Sequence, residues 1–236
     1  MSHPPDNYKP FSRTELARRV AEDIRDGWYV NLGIGIPLLV SDYIPAGRQV
    51  MFHSENGLIG MGPKPVPKSL DPWIVNAGKQ HVTIQPGGAL VHHADSFALI
   101  RGGHLDLCVL GAYQVSGRGD LANWATDDIG VAPGVGGAMD LVVGAKRVWI
   151  ITEHTTKSGE PKLVEECTYP LTALGAVTRV YTSLAIIDVD RRMGMTVLEI
   201  APGLSFEELQ AKTGVELHRG SSSAQLSPRI QREAVR

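Results

Sequence analysis

Short apolar runs recur along this chain with helix-patterned segments between them, and that alternation limits its possible folds more than any other feature. Strands are expected at 29–34, 49–54, 81–85, 105–110, 147–152, 180–189 and 195–200. Within 105–110 and 147–152, positions 107–110 and 148–151 are apolar without a break, so both faces of these strands must be covered. Strands of that kind, separated by helices, build an α/β fold: a largely parallel open sheet with helices on both faces.

The helices carry their own start signals. Ser12-Arg13-Thr14-Glu15 has the form of a capping box, Leu16, Val20 and Ile24 follow at helical spacing, and Gly27 is expected to stop the helix. Pro37 suits the first turn of a helix over 38–44. Further helical pieces are expected at 95–100, capped by Asp95, and at 138–143. Ser205-Phe206-Glu207-Glu208 repeats the capping-box pattern, with Leu204 placed to staple against the helix it opens. Residues 1–11 are polar and proline-rich and read as a loose arm. Residues 12–219 read as one domain, and the Ser-rich, charged stretch 220–236 as a disordered tail.

Composition closes off several function classes. A net charge of −2 over 236 residues offers no general surface for a polyanion, so nucleic acid is not an expected partner. No apolar run approaches the roughly 20 residues that span a bilayer, so no membrane partner is expected. The start Met1-Ser2-His3-Pro4-Pro5-Asp6 lacks a basic-then-apolar signal pattern. The two cysteines, Cys108 and Cys167, have neither disulfide-framework nor metal-type spacing, and Cys108 sits in an apolar run as a buried thiol would. A soluble, reduced, cytoplasmic protein is the expectation.

The chemistry centres on Ser54-Glu55-Asn56-Gly57-Leu58-Ile59-Gly60. Glu55 ends an apolar strand on a turn that Gly57 and Gly60 leave bare, so a large substrate can approach its carboxylate. A carboxylate so placed can act as a nucleophile. A strand-end Glu is more often a solvated surface residue, and its neighbours decide between the two readings. Gly134-Val135-Gly136-Gly137-Ala138 opens a helix, where free backbone N–H groups can hold an oxyanion. Gly136, Gly137 and Ala138 are the candidate donors, and a close-packing turn is the competing account. Lys79, in Asn76-Ala77-Gly78-Lys79, is a candidate substrate contact, although a lone lysine in a turn is more often solvent-facing. The amides Gln114 and Asn123 are further candidates that turn roles serve equally well.

Two other patterns fall away. Gly33-x-Gly35 precedes a helix, but the last glycine of a dinucleotide fingerprint is replaced by Leu38. His92-His93-Ala94-Asp95 lacks a third ligand at metal-binding spacing, and no metal is expected.

Taken in order, Ser54–Gly60, Asn76–Lys79, Arg101-Gly102-Gly103-His104, Gly119–Trp124 and Gly134–Leu141 resemble the B subunits of family I 3-oxoacid CoA-transferases. The likeness runs from about Ser12 to about Leu217. It implies the CoA-transferase (isomerase-like) fold, with Glu55 as the catalytic nucleophile and the 134–141 loop beside it. Asn56, Lys79 and Gln114 would contact substrate or CoA. It implies CoA transfer from succinyl-CoA to a 3-oxo acid through a glutamyl-CoA thioester, with no cofactor, since the CoA thioester is itself a substrate. It also implies a separate A subunit as partner, in an A2B2 heterotetramer. Segments 87–97 and 167–172 look closer to transferases acting on 3-oxoadipate. Acetoacetate is the alternative acceptor, and a non-catalytic ligand-binding domain of the same fold the more distant one.

Overall fold

The computed structural model describes residues 8–127, 130 and 133–220. The expected tail from 221 onward and residues 1–7 of the expected arm lie outside the described residues. The rest of that arm is tied down: the Lys9 and Phe11 N–H groups donate to the carbonyls of Pro202 and Ser183.

Helix α1 (Arg13–Asp23) starts where the sequence places it. Ser12 Oγ accepts from the Glu15 N–H at 3.2 Å, and Glu15 Oε2 accepts from the Ser12 N–H at 2.7 Å. The helix ends at Asp23, before Gly27, whose φ of +75° turns the chain into β1 (Tyr29–Leu32). The expected α-helix at 38–44 is a 3-10 helix, Ile36–Tyr43. Pro37 removes a donor from its first turn, and Pro45 forces Ile44 into extended backbone and so ends the helix there.

After β2 (Met51–Ser54), the turn at Glu55–Gly57 leads into β3 (Leu58–Met61), a strand the sequence hides. Gly60 reads as a breaker, yet it marks a close approach between chains. A Cβ there would stand 2.8 Å from the Gly88 Cα. The strand expected at 81–85 is displaced to β4 (Ile84–Leu90). Pro86-Gly87-Gly88 interrupts its pattern but is tolerated because β4 is the edge of the sheet. Helix α2 (His93–Arg101) is capped by His92, whose Nδ1 accepts from the Ala94 N–H at 3.1 Å. The expected cap, Asp95, lies inside its first turn.

The chain continues through β5 (Leu107–Leu110), β6 (Gln114–Ser116), β7 (Leu121–Ala122), α3 (Ala138–Gly144), β8 (Val148–Thr152) and β9 (Leu163–Val164). The single strand expected over 180–189 is two antiparallel ones, β10 (Val177–Thr182) and β11 (Ala185–Asp190). Thr182 Oγ1 accepts from the N–H groups of Leu184 and Ala185, making a turn without glycine or proline. β12 (Gly194–Ile200), α4 (Phe206–Ala211) with its Ser205–Glu208 capping box, and β13 (Leu217–Arg219) complete the described fold.

The strands form a ten-stranded sheet in the order β13-β12-β11-β10-β8-β5-β1-β2-β3-β4, with β7-β6-β9 as a small separate sheet. The middle of the large sheet, β10-β8-β5-β1-β2, is parallel, and antiparallel pairings flank it on both sides. Alternate residues of the central strands feed two cores. Cys108, Val148 and Ile150 pack with residues of α2, α3 and α4 on one face, whereas Val109, Trp149 and Ile151 pack with α1 on the other. The chain leaves β1 for β2 on one side and returns to β5 on the other. This reversal opens a crevice at the carboxyl ends of the strands.

Candidate active site

A cleft of 630 Å³ occupies that crevice. Its walls come from the residues at the carboxyl ends of four parallel strands: Leu32 and Gly33 at β1, Ser54 and Glu55 at β2, Leu110 and Gly111 at β5, and Thr152 and Glu153 at β8. Gly134 to Ala138 close one side.

The turn holding Glu55 is fixed by its neighbours. Gly57 has a φ of +110°, and a Cβ there would come within 2.3 Å of the Val91 carbonyl oxygen, so only glycine fits. Ser54 Oγ accepts from the Ala77 N–H at 2.8 Å, and Asn56 Nδ2 donates to the Val75 carbonyl at 2.7 Å. Below the turn, His53 is 2% exposed and Asn31 3%. Asn31 Nδ2 lies 3.1 Å from both His53 Nδ1 and the His53 carbonyl. An amide N–H donates to Nδ1 only if that nitrogen is bare, so the ring proton sits on Nε2 and points to Ser96 Oγ at 2.8 Å. Burial pushes the His53 pKa down to about 4, so the imidazole is neutral.

Among the described residues none donates a hydrogen bond to the half-buried Glu55 carboxylate. Burial pushes its pKa up, the charge of Asp140 adds to that, and His93 works in the opposite direction. A poorly solvated carboxylate is a stronger nucleophile once ionised, because no shell of donors must be removed before it attacks.

Gly137 stands against this group. A Cβ on Gly137 would lie 2.2 Å from Glu55 Oε2 and 3.1 Å from the Phe97 ring. Gly136, with φ of +50°, has nothing within 4 Å of the corresponding position. No described acceptor takes the N–H of Gly136 or of Gly137, whereas that of Ala138 is directed to the Val135 carbonyl at 3.3 Å. Of the three expected donors, Ala138 is therefore already engaged, and the two glycines remain.

The other candidates separate. Asn76, Ala77 and Gly78 line the cleft, whereas Lys79 is exposed at its rim with φ of +60°. Asn56 is outside the lining, its amide committed to Val75. Gln114 is a stitch: Oε1 accepts from the Thr168 N–H at 2.8 Å, and Nε2 donates to Thr168 Oγ1 at 3.0 Å. Asn123 does line the cleft, where its Nδ2 donates to the Gly111 carbonyl at 3.3 Å. His93 stacks on Phe97 with ring centres 4.7 Å apart.

Sequence reasoning missed Asn31, His53, Thr152 and Lys162, all of which line the cleft. Polar residues inside otherwise apolar strands were the available signal for the first two. Lys162 reaches the cleft from a distant loop and carries no local signal.

A family described as coenzyme A transferase matches residues 13–212. The chain is 57% identical over 209 residues to the B subunit of 3-oxoadipate CoA-transferase from Pseudomonas putida, covering 89% of this chain and 97% of that protein. It is 54% identical over 211 residues to the protein of the same name from Acinetobacter baylyi, at the same coverages. Against the B subunit of succinyl-CoA:3-ketoacid coenzyme A transferase from Helicobacter pylori the identity is 45% over 204 residues, covering 86% and 97%. Among solved structures, an acyl-CoA transferase apoenzyme from Escherichia coli O157:H7 superposes with a TM-score of 0.70 at 20% identity. It covers 93% of this chain, which spans 43% of that longer one.

Proposed function

The chain belongs to the coenzyme A transferase family, and from that premise we propose that it is the B subunit of an enzyme moving CoA from succinyl-CoA to 3-oxoadipate. The observation that carries the reading is the Glu55 carboxylate, desolvated at the carboxyl end of a parallel sheet and faced by a glycine that leaves it open to attack a thioester.

Glu55 attacks the thioester carbonyl of succinyl-CoA, the C–S bond breaks, and CoA leaves as its thiolate with a mixed anhydride on the enzyme. The thiolate then attacks the glutamyl carbonyl, giving an enzyme–CoA thioester and free succinate. The acceptor carboxylate reverses both steps, so the kinetics are ping-pong. The Gly136 and Gly137 N–H groups are the donors available to a developing oxyanion. No redox or electrophilic cofactor enters this scheme, because the thioester supplies its own leaving group.

The relatives named as B subunits imply a partner of the A type. An A2B2 assembly in the cytoplasm is our reading of the complex. Among the described residues no helix is long and apolar enough to cross a membrane. Acetoacetate is the second acceptor to test, because the B subunit of a 3-ketoacid transferase is 45% identical over nearly its whole length.

Co-expression with the partner of the A type, gel filtration, and assays with both acids test the reading. The complex is expected to prefer 3-oxoadipate and this chain alone to be silent. Full activity from the isolated chain overturns the two-subunit reading, and a strong preference for acetoacetate overturns the choice of acceptor.

A further inference from the structure

We propose that Lys162 is the specificity-determining residue that binds the far carboxylate of the acid, and so selects dicarboxylic over monocarboxylic substrates. The inference rests on the transferase reading above and goes on to assign a residue to substrate choice.

Lys162 enters the cleft from the second arm of a short hairpin after β8, where Thr155 and Pro161 form an isolated bridge. Its backbone is fixed on both sides. The Lys162 N–H donates to the His154 carbonyl, and its own carbonyl accepts from the Val115 N–H. The side chain is directed just as firmly. Nζ donates to Thr152 Oγ1 at 3.1 Å and to the Ala112 carbonyl at 3.3 Å, and Thr152 Oγ1 donates to that same carbonyl at 3.3 Å. An ammonium has three donors, and these partners are neutral. Among the described residues no carboxylate lies within ion-pair distance of Nζ.

Among the described residues four charged side chains line the cleft: Arg13, Glu55, Glu153 and Lys162. Arg13 and Glu153 face each other at 3.5 Å with about half or more of each side chain exposed, and Glu153 acts on Lys162 only from beyond ion-pair distance. Glu55 is the nucleophile. Lys162 is left as a partly buried cation whose burial disfavours its charge, opposed only by the charge of Glu153. A bound carboxylate supplies the missing counter-charge and takes the remaining donor.

The spacing suits a short diacid. Glu55 follows β2, and Lys162 rests against the ends of β5 and β8, two and three strands away in the sheet. At about 4.8 Å per strand, that separation is roughly 10 to 14 Å. A six-carbon diacid spans about 6 Å between its end carbons, given C–C bonds of about 1.5 Å. Contacts of about 3 Å at each end bring the reach to about 12 Å. Acetoacetate has no group to place at Lys162.

The test uses the enzyme complex with its partner subunit, carrying Lys162→Met or Lys162→Arg. In ping-pong kinetics kcat/KM for each acid reports its own half-reaction. Lys162→Met is expected to lower kcat/KM about ten- to hundredfold for 3-oxoadipate and for succinyl-CoA, mainly through KM, and to leave acetoacetate within about twofold. Lys162→Arg is expected to retain most of the preference for diacids. An equal fall for acetoacetate, or no change for 3-oxoadipate, overturns the assignment. A binding measurement separates this from failure of the transferase reading. Succinate is expected to raise the Tm of the wild-type complex but not that of Lys162→Met, while butyrate raises neither. If succinate protects both alike, the carboxylate site is not at Lys162, whatever the enzyme transfers.

Discussion

Gly137 touches Glu55 so closely that a single methyl group between them would overlap the carboxylate, at 2.2 Å from Oε2. The backbone at Gly137, φ of −88° and ψ of 5°, lies in the bridge region that residues with a side chain adopt in turns. What an added methyl group displaces there is the carboxylate rather than the chain.

Gly137→Ala is therefore expected to fold normally and to lose on the order of 10²-fold in kcat, the scale associated with a misplacement of about 1 Å. Gly136→Ala is expected to do the reverse. It has open space but a left-handed backbone, so it costs about 1 kcal/mol of stability and leaves turnover within a few-fold. Melting temperatures and kcat for the two variants decide the matter, and a Gly136→Ala enzyme as impaired as Gly137→Ala would contradict it.

Incubating the complex with succinyl-CoA alone should add the mass of CoA, less water, to this chain and release succinate. Glu55→Ala should abolish the adduct in intact-mass spectra, and labelling that persists would move the nucleophile elsewhere. Glu55→Asp withdraws the carboxylate by roughly 1 Å and is expected to lose on the order of 10²-fold in turnover.

The acid limb of the activity profile should lie above the ordinary glutamate value of 4.5, because burial and Asp140 raise the Glu55 pKa and the nucleophile must be ionised. Asp140→Asn should move that limb to lower pH and His93→Gln to higher pH. Shifts in the opposite directions would separate the limb from Glu55.

Legibility in the sequence followed how local each cause was. The capping boxes at Ser12 and Ser205 and the buried strand ends before Gly33 and Glu55 were readable because the signal and the structure occupy the same few residues. β3 and β4 were not, since Gly60 and Gly88 look like breakers until their backbones are seen against each other across the sheet edge. The turn between β10 and β11 depends on one threonine hydroxyl, which no periodicity reports. In the site, Glu55 stood out beside its glycines. Asn56 and Gln114 were candidate contacts on sequence alone, and their bonds to Val75 and Thr168 were not legible there, because an amide's partner is a matter of tertiary position.

His53 and His154 are both buried and neutral, with pKa values pushed down from 6.5 to about 4 by desolvation. The unfolded chain binds more protons than the folded one between those values. Stability is therefore complete above about pH 6.5, falls as the pH drops, and levels off below about 4. Each histidine contributes up to about 3 kcal/mol to that fall. Urea titrations across this range should show the decline, and His154→Gln should flatten it. A wild-type curve flat from pH 7 to 4 would remove both histidines from the account.

The ties from Ser54 to Ala77 and from Asn56 to Val75 fasten the returning end of a long excursion to the turn that carries the nucleophile. Before that end the chain bears Val66, Leu70 and Trp73 on its surface, Trp73 being 90% exposed. The same two bonds grip the residues on either side of Glu55, and the segment they hold, Asn76 to Gly78, lines the cleft. Whatever presses on that exposed lobe therefore has a short path to the nucleophile, through two hydrogen bonds and a stretch of cleft wall.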